Sequence, residues 1–154
     1  MQFLGRKKAY DLFDAGEDVI VVRRDGEEYE AIGRGDFYED DGDKIVDVPH
    51  RYYLLQDLFD SNAAIADFIG KFEWLKKKER AKYIKSLHYH DDWRSLMEAV
   101  DKIEAEFSPV TIIGKVCAIG SLSSDHIGTG VTKIEAVFEV VSRFCKLVNS
   151  NKGD

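Results

Sequence analysis

Thr132-Lys133-Ile134-Glu135 has the form of a helix start that caps itself. A Thr hydroxyl three residues ahead of a Glu carboxylate lets each side chain take a backbone amide that the first turn leaves unpaired. Behind it Ile134, Val137, Phe138, Val141, Phe144, Cys145 and Val148 recur at steps of three and four, so one face of the helix is apolar. Such a face has to be laid on something. Residues 110–119 (VTIIGKVCAI) are β-branched and apolar, and read as one buried strand or as a tight pair kinked at Gly114-Lys115. A second amphipathic helix precedes them, running from Asp92 through Trp93, Leu96, Met97, Val100, Ile103 and Phe107 until Ser108-Pro109 closes it. Both helices are expected to pack on the β layer, with residues 120–130 as a Ser/Gly loop between strand and capped helix.

The first half carries shorter signals. Ala9, Leu12 and Phe13 share a helical face within residues 6–15, and Gly16 suits the left-handed position that ends a helix. Val19 to Val22 then turn the chain into a strand. Asp25-Gly26 is a type I′ signal, predicting a hairpin of residues 19–24 and 28–33, with a third strand at 44–48 ended by Pro49. Leu54, Leu55, Leu58 and Phe59 suggest a short amphipathic turn or helix. Ser61 suits the N-cap of a helix carrying Ile65, Phe68, Ile69 and Phe72, slightly weakened by Gly70. Residues 76–87 continue with helix formers and only Tyr83, Ile84 and Leu87 to anchor them, so that helix should be largely exposed.

The fold class expected is α+β: an N-terminal helix with a small antiparallel sheet (residues 1–60), a basic helical connector (61–90), and a helix-strand-helix module (91–150), together one continuous domain. The 154 residues are 44% hydrophobic and 12% aromatic, enough for a core, which excludes wholesale disorder. Two Cys without Cys-x-x-Cys spacing, Cys117 and Cys145, read as buried thiols in a reducing compartment rather than a disulfide scaffold. Arg6, Lys7 and Lys8 are followed by no apolar run of signal-peptide length, and residues 131–148 carry Lys133, Glu135, Glu139 and Arg143. A cytoplasmic protein with no membrane contact is expected.

The net charge of -7 is unevenly distributed. Residues 1–60 hold 8 Lys/Arg against 16 Asp/Glu, residues 61–90 hold 7 against 3, and residues 91–154 hold 7 against 10. The basic island places Lys76, Lys77, Lys78, Arg80, Lys82 and Lys85 around Trp74 and Tyr83, a composition that can track phosphates and stack bases, or dock on an acidic protein. A solvated helix face would have the same composition, and is the plainer reading. The acidic loop with Asp40, Asp41 and Asp43 is the matching candidate for a basic partner. It lacks the ligand spacing of a calcium loop, because Phe37 and Tyr38 fall where ligands are needed.

His88, His90 and Asp92 are the densest set of metal-ligand types. Residues two apart diverge on a helix, so convergence would need a strand, and a helix junction capped by Asp91 or Asp92 is the favoured reading. Asp125-His126 beside Ser121, Ser123 and Ser124 lacks the strand-to-helix elbow of a nucleophile. Gly128-Thr129-Gly130 resembles an anion loop only loosely. No catalytic residues and no cofactor are expected.

The C-terminal third, on His90-x-Asp92-Trp93-x-x-Leu96-Met97-x-x-Val100-x-Lys102-Ile103-Glu104, Cys117, Ile119 and Lys133-Ile134-Glu135-Ala136-Val137-Phe138 through Phe144 and Asn149, resembles uncharacterised phage and prophage proteins of Bacteroidetes. It departs from them at Lys146-Leu147-Val148, where an aromatic pair is usual. Residues 6–32, with Ala15-Gly16-Glu17-Asp18 before the strand and Arg24-Asp25-Gly26 after it, resemble the helix and hairpin of Phd/YefM-type antitoxins, which are dimeric DNA-binding repressors.

The first resemblance implies a phage or prophage origin, and with it the host cytoplasm, but brings no known activity with it. No nucleophile, base and orienter occur in a credible motif, so the first expectation is a non-enzymatic binding protein that masks a surface on a host or defence protein or sequesters a small ligand. The second implies a DNA-binding regulator, and the histidine cluster a metal-dependent enzyme. The oligomeric state is open, a homodimer among the choices.

Overall fold

Four consecutive β-branched residues favour an extended backbone, and Val19–Val22 form β1, buried along its whole length. The computed structural model describes residues 3–23, 25–38, 51–120 and 126–152. Two units are distinguished in it, Met1–Leu58 and Phe59–Asp154. The architecture is α+β, with five α-helices and two three-stranded antiparallel sheets among the described residues.

In the first unit, α1 (Arg6–Asp14) ends as expected: Gly16 takes φ 95°, and the amides of Gly16 and Glu17 return to the carbonyls of Phe13 and Leu12. The sheet has β1 at its centre, with β2 (Glu28–Glu30) on one side and β3 (Arg51–Leu54) on the other. The hairpin strands are shorter than the sequence predicts. Asp25 is not left-handed; Gly26 is, at φ 90°, and donates to Arg23 O at 2.9 Å. A type I′ turn on Asp25-Gly26 needs both residues left-handed, so the predicted turn type is not the one adopted.

The third strand is β3, where the sequence suggested an amphipathic turn from Leu54 onward. Tyr52 pairs with Val21 and Tyr53 with Ile20, and both tyrosines are buried, one on each side of the sheet. Tyr52 stacks on Phe37 at 5.2 Å, within a cluster that includes Ala9, Val19, Val21, Tyr10 and Phe13. Phe37 reaches it because the Asp36 carboxylate takes the amides of Ile32 and Gly33 at 2.8 and 3.0 Å and tightens a 3-10 turn at Arg34–Asp36. The strand expected at 44–48, Pro49, and the loop with Asp40, Asp41 and Asp43 lie outside the described residues.

Helix α2 (Leu55–Phe68) runs through Ser61, which is fully buried inside it instead of capping its start. In the second unit, Lys146 Nζ donates to Ser61 Oγ at 3.1 Å, and Asn149 Nδ2 to the Ala64 carbonyl at 2.9 Å. Gly70 ends α2 outright: at φ 84° it allows the amides of Gly70 and Lys71 to close back on Asp67 and Ala66. Helices α3 (Lys77–Lys85) and α4 (Trp93–Glu106) follow, then β4 (Val110–Ile113) and β5 (Val116–Ile119), the tight pair kinked at Gly114, whose φ is 57°. A further strand, β6 (Ile127–Thr129), lies where a loop was expected. It pairs with β5, Cys117 opposite Gly128.

Helix α5 (Lys133–Lys152) starts with the expected capping box: Glu135 N donates to Thr132 Oγ1 at 3.3 Å and Thr132 N to Glu135 Oε2 at 3.2 Å. Its buried stripe, including Val137, Phe138, Val141 and Cys145, lies on β5 and β6 and also meets α4, which in turn packs on β4. Gly128 and Gly130 belong to this contact. A Cβ on Gly128 would lie 2.6 Å from the Ala136 carbonyl oxygen and 2.8 Å from Val140 Cβ.

Gly128→Ala is therefore expected to lower unfolding stability by about 1–3 kcal/mol, since a backbone carbonyl cannot yield as a flexible side chain does. Gly35→Ala, at a position with nothing within 4 Å of the added Cβ, should stay within about 0.5 kcal/mol of the parent. Urea denaturation of the two variants and the parent measures both.

Candidate functional site

The basic island folds into a helix with no buried residue. Its first turn is closed by Glu79, whose Oε2 accepts from the Lys76 amide at 3.1 Å. Two side chains hold it to the preceding segment: Arg80 lies over the Phe72 ring at 5.4 Å, and Tyr83 meets the same ring edge-on at 6.2 Å. Arg80 is thus an anchor as well as a cation. Lys76, Lys77, Lys78, Lys82 and Lys85 are all exposed, and Trp74, just ahead of the helix, is 88% exposed. A recess of about 490 Å³ beside Lys78, Lys82 and Tyr83 adds concavity to this face.

The turn from α3 to α4 gathers the histidines. Its backbone is closed by the amides of Asp91 and Asp92, both returning to the His88 carbonyl at 3.2 and 2.8 Å. That brings the rings of His88 and His90 into a stack with centroids 5.8 Å apart and 28° between planes. The carboxylate that joins them is Asp91, with Oδ1 3.4 Å from His88 Nδ1 and Oδ2 3.7 Å from His90 Nε2. Asp92, grouped with the histidines as a candidate ligand, instead takes the capping role that the sequence favoured. It is the N-cap of α4, accepting from the Arg94 amide at 3.0 Å and the Ser95 hydroxyl at 2.7 Å. The sequence considered helix and strand spacing for this cluster; a hydrogen-bonded turn converges it by a third geometry.

Next to the histidines a cleft of about 310 Å³ is lined by Lys71, Tyr83, His88, Tyr89, Asp92 and Glu98. Burial, more than the neighbouring Tyr83 and Glu98, pushes the Tyr89 phenol up, so it stays protonated at physiological pH. Lys71 pairs with Glu98 at 3.4 Å on this rim, an exposed bridge of small energetic weight.

The other candidates are structural. Cys117 and Cys145 are free and fully buried, and burial raises their thiols to about 11 and about 12, which leaves little nucleophilic thiolate. Gly128-Thr129-Gly130 meets carboxylates where an anion would sit: Glu139 Oε2 takes the Thr129 amide at 3.2 Å, and Glu135 Oε2 takes that of Val131 at 2.7 Å. His126 stands edge-on to Phe144 at 5.5 Å. The residues Ser121 to Asp125 lie outside the described part, and none of the described helices is long and apolar enough to cross a membrane.

No family model, curated protein or solved structure matches the chain.

Two outcomes follow from the titratable groups. The hydrogen bond from the Ser95 side chain, foremost, holds the Asp92 carboxyl below its usual range. The stability it contributes is present above the unfolded carboxyl value of about 3.9 and is lost as pH falls through the lower folded value. Asp92→Asn keeps a capping acceptor without the charge, so its stability deficit against the parent should shrink between pH 7 and pH 3 in parallel denaturant titrations. The thiols have the opposite sign: their stabilising neutral form is complete below the unfolded value of 9.0 and is lost as pH rises toward about 11 and about 12. At pH 8 a disulfide reagent should label neither cysteine in folded protein and both in denaturant.

Proposed function

We propose that the protein is a binding module that works without catalysis, docking an acidic surface of a partner protein on α3. The observation that carries this reading is that α3 buries no residue while presenting five cations, with a sixth at its N-cap Lys76, against a single carboxylate, Glu79, beside the exposed Trp74. A surface helix ordinarily buries an apolar stripe, and that burial is what stabilises it. Here Arg80 and Tyr83 anchor on Phe72 and Ile84 is half-buried, while the exposed lysines are left to charge.

A protein surface is favoured over nucleic acid by extent. Nine helical residues span about 14 Å, the size of one acidic patch, whereas a polyanion continues past the helix into a chain whose net charge is -7. The resemblance of the C-terminal third to phage and prophage proteins makes a host or defence protein the partner class to try first. Trp74 suits the centre of such a contact, as aromatic residues flanked by cations do.

The test uses Trp74 as reporter in a Trp93→Phe background. An acidic Glu/Asp-rich peptide should shift its emission, with affinity falling as salt rises. The triple variant Lys78→Glu, Lys82→Glu, Lys85→Glu should weaken binding by at least about tenfold while leaving the circular dichroism unchanged, since these lysines are exposed. Equal binding by parent and variant would overturn the reading. Tighter binding to a DNA duplex than to the peptide would replace it with nucleic-acid recognition.

A further inference from the structure

We infer that His88, His90 and Asp91 form a binding site for one divalent transition-metal ion of the zinc class, which pins the turn between α3 and α4. One ligand atom from each residue lies within 4.8 Å of the other two. Around a tetrahedral zinc with bonds of about 2.0–2.1 Å, ligand atoms sit about 3.4 Å apart. The carboxylate oxygens are already 3.4 and 3.7 Å from one nitrogen of each ring, so the remaining closure is between the two imidazoles. His88 and Asp91 have side chains 64% and 59% exposed, and their rotation supplies it without moving the backbone. Two imidazoles and one carboxylate select zinc, nickel or copper over magnesium and calcium, which prefer all-oxygen sites. Water completes the coordination.

The third ligand is held from behind. His90 is only 15% exposed, its ring edge-on to Phe138 at 6.0 Å, and its Nδ1 faces Asn62 Nδ2 at 3.5 Å. Asn62 is 1% exposed, and its Oδ1 is buried with no hydrogen-bond partner. A metal on His90 Nε2 displaces the ring proton to Nδ1, which then requires an acceptor. A half-turn of the Asn62 amide offers Oδ1 for that proton, in exchange for the 3.3 Å hydrogen bond from Nδ2 to the Leu87 carbonyl. Ligating histidines ordinarily donate the second ring N–H to a carboxylate, a backbone carbonyl or water, and the buried Asn62 amide oxygen would serve the same purpose here. Because His88 and Asp91 flank the turn between the end of α3 and the cap of α4, the ion would stiffen the support of the basic helix. The site would stand whether or not α3 docks a partner.

Metal-stripped full-length protein titrated with Zn²⁺ should bind one equivalent and gain thermal stability, with Mg²⁺ and Ca²⁺ giving neither. Co²⁺ in place of Zn²⁺ should show visible absorption bands of a four-coordinate site containing histidine. His88→Ala and Asp91→Asn change exposed side chains, so they keep the fold and should each weaken Zn²⁺ binding by at least about tenfold; Asp92→Asn should bind as the parent does. Absence of stoichiometric Zn²⁺ binding, or equal binding by His88→Ala and Asp91→Asn, would overturn the site. Loss on Asp92→Asn with retention on Asp91→Asn would overturn the ligand set.

Discussion

Helix α5 is twenty residues long with eight of them buried, and it can be held only by a face that comes close enough to exclude water. That face is β5 and β6, and the closeness is set where Gly128 meets the Ala136 carbonyl with no room for a Cβ. Much else in the second unit leans on the same helix. Phe138 backs the ring of His90, Lys146 satisfies the buried Ser61, Asn149 ties down α2, and Phe144 packs edge-on against both Phe107 and His126. A loosened β6 contact would therefore be felt at the histidine turn, although Gly128 lies far from that turn in sequence.

What could be read from the sequence was what local chemistry decides. The Thr132 and Glu135 cap, the Asp92 cap, the glycine stops at 16 and 114, and the exposure of α3 each depend on a few adjacent residues. Features settled at long range were not readable. Ser61 has the preferences of an N-cap, yet it is buried because Lys146, 85 residues on, reaches it. The strand at Arg51–Leu54 owes its existence to pairing with β1, and its adjacent tyrosines, buried on opposite faces, leave no alternating pattern to detect. Gly128 in the middle of β6 argues against a strand by propensity, while in the fold it is what lets the strand approach α5.

The candidate site divides along the same line. The basic helix was legible because charge and helix formers coincide in ten residues. The histidine cluster is visible as composition, but helix and strand periods do not apply in a turn closed on the His88 carbonyl. The swap of Asp91 for Asp92 has one cause: a carboxylate at the residue before α4 is drawn to the free amides of the first turn, and only its predecessor is left to face the rings.

Some cations of the second unit serve the fold and others do not, and the difference bears on function. Lys102 and Lys152 lie over the Phe68 ring at 5.4 and 5.7 Å, and Lys146 bonds Ser61, so each covers or satisfies part of the core. The lysines of α3 cover no buried residue of their own helix. Lys78 and Lys82 stand four apart, and Lys82 and Lys85 three apart, spacings at which like charges on a helix repel by a few tenths of a kcal/mol per pair. For the folded unit alone such an arrangement is a net disadvantage, and interspersed glutamates would serve solubility equally well. An acidic surface laid along this face would add an attraction to each of these lysines that outweighs their mutual repulsion, which is the physical reason to propose the partner there.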